Sequence, residues 1–298
     1  MYRIGIDLGG TNTAAGLMDE SGHILDRESV KTNLPTDLDR IVRDITGLCR
    51  TLMARNGLSN ANIQSVGVGV PCTADPENGW MQDADHLGFP GGPLVAPLEE
   101  ALGLPVHIGN DADAAALGEF RGGGYGGKSF VLVTLGTGIG GGIILGGQLY
   151  TSINNAAGEL GHMTIRMDGE KCCCGRKGCF EAYGSASALI RQACQATGET
   201  ITEAKTVFDR AAAGDTICLS VLDTYMNYLA EGFANIINIF GPDYLCIGGG
   251  VSAAGDALLT PVRAKTYERV FAKNAKKNTQ IILARLGNDA GILGAAFL

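Results

Sequence analysis

The stretch YRIGIDLGGTNTAAGLMDESGHILDRES, from Tyr2 to Ser29, is the part of this chain that says most about its fold. Its apolar residues alternate, and the alternation breaks at LGGT and ESG, which predicts three strands joined by two turns. A second stretch, SFVLVTLGTGIGGGIILGGQLY from Ser129 to Tyr150, repeats the order of strand, glycine turn, strand, turn and short strand. Thr137 follows Thr11 by 126 residues and occupies the matching turn. A duplicated β-unit of this kind predicts an α/β fold with two similar lobes.

The segments around the two β-units alternate between buried strands and helices. Apolar residues recur at helical spacing from Asp37 to Arg55, and further helices are predicted at about 184–197, 203–213, 217–240, 255–272 and at the C-terminus. IQSVGVGVP, PVHIGND and DYLCIGGG are predicted strands, whereas residues 72–93 are predicted to form a long functional loop. We predict a first domain of residues 1–112 that includes a C-terminal helix at about 286–298, and a larger domain of residues 113–285.

The composition excludes several classes of protein. The net charge is −8 over 298 residues, whereas a nucleic-acid partner requires a basic face. No run of about 18 apolar residues is present, which argues against a membrane span. The first residues, MYRIGIDLGG, lack the basic and apolar regions of a signal peptide, and the nine cysteines are an odd number, so a disulfide framework is disfavoured. These features predict a soluble cytoplasmic protein.

The segment from Gly122 to Ser129, GGGYGGKS, matches the phosphate-binding pattern G-x-x-x-x-G-K-[ST]. A phosphate-binding loop of that type needs a strand before it and a helix after it. Here the predicted helix DADAAALGEF precedes the segment and the predicted strand FVLVTLG follows it. We therefore interpret it as a flexible connection, with a lid-like role near the ligand as the alternative.

The glycine turns of the duplicated units are better candidates for binding phosphates. In DLGGTNT the glycines let backbone amides approach an anion, and the Thr11 hydroxyl can bond to a phosphate oxygen. Asp7, at the end of the first strand, would organise a hydrated Mg²⁺. LGTGIGGG offers the same groups, and the triple glycine of LCIGGGVS would let a base or ribose lie against bare backbone. Each turn alone is equally typical of a plain hairpin. The candidate ATP-binding residues are Asp7, Gly9, Gly10, Thr11, Asn12, Gly136, Thr137, Gly138, Gly249 and Gly250.

A cluster of cysteines in GHMTIRMDGEKCCCGRKGCFE predicts a zinc site. In an extended stretch, Cys172 and Cys174 point to one face and Cys173 points to the other. The following glycines permit a turn that returns Cys179 to the same point, and His162 completes a closed Cys₃His set, which is typical of structural zinc. The alternatives are a cluster of reactive or buried thiols, and a site in which Cys173 replaces Cys172.

Six motifs resemble the ROK family of repressors and sugar kinases. They are IGIDLGGTNT, ND at 110–111, LGTGIGGGII, GELGH at 158–162, CxCGxxGCxE at 172–181 and CIGGGVS, and they span essentially the whole chain in the order of the family. The resemblance implies an actin-like, ribonuclease-H-like fold, in which two α/β lobes enclose a cleft. It also implies an enzyme that uses ATP to phosphorylate a hexose.

The resemblance further implies roles for individual residues. Asp111 matches the family's general base, and Asn110, Glu159, His162 and Glu181 match residues that bind the sugar. On the residues alone, Asp111 is equally well placed to cap the helix DADAAALGEF, and Asp113 would then be an equal candidate.

Two departures from the family's pattern concern the choice of hexose. Cys72 replaces the last glycine of GxPG, and Asp85, His86 and Leu87 stand where many family kinases have PNL. We predict that Asp85 contacts the sugar or its lid, and that His86 is a surface residue, with a sugar contact as the alternative.

These features together predict a cytoplasmic kinase that transfers the γ-phosphate of ATP to the C6 hydroxyl of an aldohexose. Glucose is the favoured substrate, and N-acetylmannosamine and allose are the alternatives. A non-catalytic sugar sensor or repressor is disfavoured, because family repressors carry a DNA-binding region before the first strand, which here begins at Tyr2. By analogy with the family, we expect a homodimer, with a tetramer as the alternative.

Overall fold

The structure is a computed structural model that describes residues 1–272 and 274–298, with the side chains of His86 and Lys277 outside the described set. Its contacts divide the chain into two compact units. Unit 1 comprises Met1–Gly126, Leu149–Ala157 and Arg285–Leu298, and unit 2 comprises Gly127–Gln148 and Gly158–Ala284. The first unit continues through a helix beyond residue 112, where the sequence places a domain boundary.

The described strands, in chain order, are β1 (Tyr2–Leu8), β2 (Asn12–Met18), β3 (Ile24–Lys31), β4 (Ile63–Val70), β5 (Thr73–Asp75), β6 (Trp80–Gln82), β7 (Gly91–Pro93), β8 (Val106–Asn110), β9 (Phe130–Leu135), β10 (Ile139–Leu145), β11 (Gln148–Leu149), β12 (Tyr244–Gly248) and β13 (Gln280–Leu283). The described α-helices are α1 (Leu38–Arg55), α2 (Val95–Leu102), α3 (Asp111–Gly122), α4 (Glu181–Gly184), α5 (Ala186–Thr197), α6 (Ala204–Ala212), α7 (Thr216–Phe240), α8 (Asp256–Arg269), α9 (Ala275–Asn278) and α10 (Asp289–Ala295).

The two large sheets have the same strand order. The first runs β3-β2-β1-β4-β8 and the second runs β11-β10-β9-β12-β13. In each sheet the glycine hairpin is antiparallel, and the two later strands are parallel to the first strand of that hairpin. The predicted duplication is confirmed, and it extends to a fifth strand, because β13 occupies the place of β8.

The predicted helix from Asp37 to Arg55 is confirmed as α1. Its buried face consists of residues at helical spacing, among them Ile41, Ile45 and Leu52. The Asp37 carboxylate caps the helix by accepting a hydrogen bond of 2.8 Å from the Arg40 amide. The four predicted helices of the second half correspond to α4 with α5, α6, α7 and α8.

The segment from residue 72 to 93, predicted as a long loop, contains a small sheet. Strands β5, β6 and β7 pair antiparallel in that order, and each is three residues long. Strands this short cannot show an alternating pattern, so the sequence does not reveal them. Helices α2 and α9 and strand β13 are also absent from the sequence prediction, and α2 carries a proline within its eight residues.

Helices α3 and α10 of unit 1 cross with almost no space between their backbones. A Cβ atom added at Gly118 would lie 1.9 Å from the Ala290 carbonyl oxygen, and one added at Gly294 would lie 1.6 Å from the Ala114 carbonyl oxygen. Only glycine permits this approach. The predicted boundary at residue 112 would separate α3 from this unit, whereas the crossing holds α3 within it.

A buried carboxylate fixes the segment that leads into α10. Glu119 on α3 is fully buried and accepts hydrogen bonds from the Arg285 amide at 2.7 Å and the Leu286 amide at 3.0 Å. The Tyr125 hydroxyl donates a third bond of 2.6 Å. Three donors compensate for the cost of burying the carboxylate.

The segment from Gly122 to Ser129 connects α3 to β9, as the sequence predicts, and so lacks the strand-to-helix context of a phosphate-binding loop. Its amides are also engaged by a side chain of the protein. Asp243 Oδ2 accepts hydrogen bonds from the Lys128 amide at 2.8 Å and the Ser129 amide at 3.0 Å. These two hydrogen bonds hold the pKa of Asp243 below its usual range. A carboxylate thus takes the amides that a phosphate would need.

Within the described residues, none of the helices combines the length and the apolar character needed to cross a membrane.

Candidate active site

The first glycine turn of unit 1 joins β1 to β2. Leu8 pairs with Thr13, so the turn comprises four residues, and the Gly9 amide donates to the Asn12 carbonyl at 3.0 Å. Gly10, Thr11 and Asn12 are exposed at its tip. The predicted phosphate-binding residues are therefore accessible to a ligand.

Asp7 and Asp111 lie at the same edge of the first sheet. Strands β1, β4 and β8 are parallel, so Asp7 near the end of β1 and Asp111 directly after β8 share its carboxyl edge. Burial raises the pKa of Asp7 to about 6, and the charge of Asp111 adds to the effect. A methyl group added at Gly291 of α10 would lie 2.9 Å from Asp7 Oδ2. This edge thus concentrates negative charge in a partly buried position.

Asn110 is the residue that caps α3. Its side-chain oxygen accepts hydrogen bonds from the Ala112 amide at 2.9 Å and the Asp113 amide at 3.2 Å, while its Nδ2 donates to the Cys72 carbonyl at 3.3 Å. Asp111 is the first helical residue, and its Oδ1 accepts a hydrogen bond of 2.7 Å from the Ala112 amide. The alternative in which Asp111 or Asp113 serves as the helix cap is therefore wrong, since Asn110 performs that role.

Asp85 is the first residue of a single 3₁₀ turn, Asp85–Leu87, and its side chain is exposed. The turn is tied to the chain before α1 by a hydrogen bond of 2.8 Å from the Thr36 amide to the Leu87 carbonyl. The side chain of His86 is outside the described set, so the alternatives for that residue stay predictions.

The second glycine turn, between β9 and β10 in unit 2, is one residue shorter than the first. Leu135 pairs with Ile139, and the Gly136 amide donates to the Gly138 carbonyl at 3.0 Å. A Cβ atom added at Gly138 would lie 2.3 Å from Glu181 Oε2. A glycine is required here because a carboxylate lies directly against the turn.

Glu181 begins α4 and connects this turn to the cysteine cluster. Its Oε2 accepts a hydrogen bond of 2.9 Å from the Ile139 amide, and its Oε1 lies 3.1 Å from Cys173 Sγ and 3.6 Å from Cys172 Sγ. Glu181 therefore contacts both the second glycine turn and the cysteine cluster.

The predicted zinc ligands lie together. The candidate ligand atoms of His162, Cys172, Cys174 and Cys179 are all within 4.8 Å of one another. Cys172 Sγ is 3.5 Å from His162 Nδ1, and Cys174 Sγ is 3.7 Å from Cys179 Sγ. Cys173 is exposed and belongs to a second group, with His162 and Glu181. Three thiols and one imidazole within this distance are a donor set that fits tetrahedral zinc.

His162 has one ring nitrogen on each side of this arrangement. Nδ1 faces Cys172, and Nε2 is 3.9 Å from Glu159 Oε2. Glu159 precedes the 3₁₀ turn Leu160–His162, and its side chain is 59% exposed. The imidazole can therefore contact a metal through one nitrogen while the other remains near the Glu159 carboxylate.

The third glycine segment borders a cavity of about 400 Å³ in unit 2. Gly249 adopts φ +78°, and a Cβ atom there would lie 2.5 Å from the Leu135 carbonyl oxygen. A Cβ atom added at Gly250 meets none of the described atoms within 4 Å. Gly250, Val251 and Phe208 contribute to the lining, together with residues of α6 and of the start of α8. The sequence does not predict that α6 lines this cavity, because an amphipathic pattern does not indicate what the apolar face of a helix covers.

Comparisons with known proteins cover the full length of the chain. The family model described as "ROK family" matches residues 3–298. A glucokinase of Halalkalibacterium halodurans is 35% identical over 100% of this chain and 94% of its own length.

Solved structures of ROK family sugar kinases are also similar to this chain. A ROK family glucokinase from Streptomyces griseus, in complex with glucose and AMPPNP, has a TM-score of 0.82 and 34% identity over 100% of this chain and 98% of its own. A ROK hexokinase from Thermus thermophilus has a TM-score of 0.85 and 32% identity over the same shares. The predicted fold is confirmed as the actin-like ATPase fold of ROK sugar kinases. The chain belongs to the ROK family.

Proposed function

We propose that this protein is an ATP-dependent glucokinase that transfers the γ-phosphate to the C6 hydroxyl of glucose. The observation that carries the proposal is the position of Asp111 beside Asp7 at the carboxyl edge of the first sheet, with the helix cap supplied by Asn110. The full-length similarity to glucokinases, one of them solved with glucose and AMPPNP, supports the choice of sugar and nucleotide.

Asp111 acts as the general base in this proposal. Phosphoryl transfer to an alcohol depends mainly on positioning and charge neutralisation, with one carboxylate accepting the hydroxyl proton. Because Asn110 satisfies the first amides of α3, the Asp111 carboxylate does not have to serve as the helix cap. Asp7 would organise a hydrated Mg²⁺, and the cation would offset the cost of ionising this partly buried carboxyl group.

The proposed sugar ligands are Asn110, Glu159, His162 and Glu181, with Asp85 as a contact to the sugar or its lid. Carboxylates suit a neutral sugar because each can accept hydrogen bonds from two hydroxyl groups. The Asn110 oxygen is used by the helix cap, so the amide nitrogen is the atom that remains to donate to a sugar oxygen.

The proposed nucleotide ligands are the two glycine turns and the cavity beside Gly250. Gly9, Gly10, Thr11 and Asn12 in unit 1 and Gly136, Thr137 and Gly138 in unit 2 would bind phosphates through amides and hydroxyls. A cavity of about 400 Å³ bordered by Gly250, next to the proposed ligand Gly249, is large enough for an adenine base with its ribose.

We also propose that His162, Cys172, Cys174 and Cys179 hold a structural zinc ion. With four protein ligands, the zinc would stabilise the loop without activating water. The ligand His162 is three residues from Glu159, and the ligand Cys179 is two residues from Glu181, so the metal site would fix two proposed sugar ligands. Cys172 is favoured over Cys173 because its Sγ faces His162 Nδ1.

A coupled assay of ADP release against a panel of sugars tests the proposal. The panel contains glucose, mannose, allose, glucosamine, N-acetylglucosamine, N-acetylmannosamine and fructose, each with ATP and Mg²⁺. We expect a clear preference for glucose. A preference for N-acetylmannosamine or allose would keep the kinase and change its substrate, whereas no turnover with any sugar would favour a non-catalytic sensor.

We further propose that the protein acts in the cytoplasm as a homodimer, on the analogy of the family. Light scattering coupled to gel filtration measures the assembly directly. A mass of one chain at micromolar concentration would contradict the proposed dimer, and a mass of four chains would favour the tetramer.

A further inference from the structure

A second cavity, of about 410 Å³, lies in unit 2 and is not used by the proposed reaction. Its walls come from α5, α7 and the segment before the cysteine cluster, and Tyr183 of α4 lies among its lining residues. We propose that this cavity binds a phosphorylated hexose at a regulatory site separate from the active site.

The cavity carries positive charge in an acidic protein. Arg166 and Arg191 line it together with one carboxylate, Glu170, while the whole chain has a net charge of −8. Among the described residues, no carboxylate forms an ion pair with either guanidinium group. Arg166 contacts the Tyr228 hydroxyl at 3.2 Å. Two arginines without carboxylate partners are suited to a phosphate group, which accepts paired N–H donors.

Several of these side chains are held in place before any ligand binds. Arg191 donates to the Ala182 carbonyl at 2.5 Å, and Gln192 Nε2 donates to the Tyr183 carbonyl at 2.9 Å. The Tyr183 and Tyr228 rings lie 4.5 Å apart and support each other. A prearranged site loses less conformational entropy on binding than a flexible one.

The lining also includes polar side chains besides the two arginines. Gln192 Oε1 is buried and has no hydrogen-bond partner among the described atoms. The contact of Nε2 with the Tyr183 carbonyl fixes the orientation of the amide, since the reverse orientation would place two acceptors together. Gln192 Oε1 has almost no accessible surface, so the exposed polar side chains of Gln195, Ser220 and Thr224 are the groups of the lining that would meet the hydroxyl groups of a sugar. The combination therefore favours a phosphorylated sugar.

A ligand in this cavity would lie against the segments that carry the proposed sugar ligands. Arg191 and Gln192 hold the backbone of α4, whose first residue is Glu181. The Tyr183 hydroxyl accepts a hydrogen bond of 2.6 Å from the Glu170 amide, two residues before the cysteine cluster. A phosphorylated hexose in this cavity would contact the segments that position the proposed sugar and zinc ligands.

Calorimetric titration with glucose 6-phosphate tests the proposal without reference to turnover. The protein is first saturated with glucose, so that the phosphorylated sugar cannot enter the proposed active site. We expect binding to persist under this condition. Arg166→Gln removes one charge, and Thr224→Glu adds a negative charge to the lining at an exposed position of α7. Each variant should weaken binding by at least about tenfold.

Matched controls separate the cavity from general effects of charge. Arg43→Gln on α1 and Thr206→Glu on α6 change exposed residues that do not line the cavity, and both should bind like the wild type. The proposal is overturned by loss of binding on glucose saturation, by unchanged binding in both cavity variants, or by equal affinity for inorganic phosphate. Glucose binding and turnover are measured separately, so a failure of the proposed kinase activity would be recognised on its own.

Discussion

The role of Asp111 depends on Asn110, the residue that caps α3. Asn110 accepts hydrogen bonds from the first free amides of α3, and this leaves the Asp111 carboxylate at the edge of the sheet near Asp7. The sequence alone cannot separate a catalytic aspartate from a capping one, because both stand at the start of a helix. The hydrogen bonds of Asn110 make the distinction.

The Asp111→Asn variant should bind sugar and lose turnover by about 100-fold or more, because an amide cannot accept the hydroxyl proton. Sugar binding is measured by calorimetry and turnover by ADP release. Glu77→Gln, at an exposed turn in unit 1, serves as the control and should leave both unchanged. Turnover close to that of the wild type would contradict the assignment of the general base.

Asp7, the proposed ligand of hydrated Mg²⁺, is expected to lower the free energy of unfolding at neutral pH. Its pKa in the folded state is raised from 3.8 to about 6, so the native protein holds a proton that the unfolded chain releases. This contribution to stability is complete below pH 3.8 and is lost as the pH rises through about 6. In the absence of Mg²⁺ and nucleotide, an ionised Asp7 therefore reduces the free energy of unfolding.

Asp7→Asn should accordingly raise the free energy of unfolding by about 1–3 kcal/mol at pH 7.5 and by much less near pH 4. Urea denaturation at a series of pH values measures the difference between the variant and the wild type. Glu77→Gln should give a difference that does not vary over the same interval. A gain for Asp7→Asn that is equal at all pH values would contradict this account of its pKa.

At the scale of the element, the crossing of α3 and α10 depends on two glycines. The Cβ atom of Gly294→Ala would lie 1.6 Å from the Ala114 carbonyl oxygen, and the backbone on both sides is itself packed. We expect the free energy of unfolding to fall by about 3 kcal/mol or more. Since α10 also contacts Asp7 through Gly291, the damage would reach the proposed active site.

Gly47→Ala is the matched control for this substitution. Gly47 lies at an exposed position of α1, where an added Cβ atom has no neighbour within 4 Å in the part of the chain that the structure describes. Alanine should increase stability there by about 0.5–1 kcal/mol, because it favours the helix. Denaturant unfolding compares the two variants, and equal effects would show that the crossing has more room than the structure indicates.

The segment that contains Cys172, Cys174 and Cys179 is expected to be stabilised by the proposed zinc ion. The purified protein should contain about one zinc ion per chain, and Cys174→Ser should remove most of it. Cys173→Ser, which changes the neighbouring thiol, should retain the metal because Cys173 faces Glu181. Metal analysis by mass spectrometry measures both. Absence of zinc from the wild type, or equal loss in the two variants, would contradict the proposed ligand set.

At the scale of the whole molecule, the charge separates a kinase from a DNA-binding regulator. A net charge of −8 provides no general attraction to phosphates of DNA. We expect no change in fluorescence anisotropy when duplex DNA is titrated with the protein at about 50 mM salt, where such attraction is strong. DNA binding that weakens with added salt would instead support the alternative of a repressor.

Features that depend on local pattern could be predicted from the amino-acid sequence. Each of these features depends on neighbouring residues in the chain: the two glycine hairpins, the long amphipathic helices and the cysteine spacing. Each appears in the structure near its predicted position. The duplication was visible because two such runs have the same order. Its fifth strand, β13, was not visible, since a four-residue strand carries too little pattern.

The pairing of distant polar groups could be seen only in the folded chain. Glu119 is fully buried against the amides of Arg285 and Leu286, and Asp243 takes the amides of Lys128 and Ser129. These partners are more than 100 residues apart in the chain. Local sequence cannot reveal such pairs, because a buried carboxylate is stabilised by whichever donors the fold brings to it. The same physical reason explains why the second cavity required the folded chain. The cap at Asn110 is local, but Asn110, Asp111 and Asp113 are all residue types that can cap a helix, so the hydrogen bonds of the folded chain were needed to distinguish them.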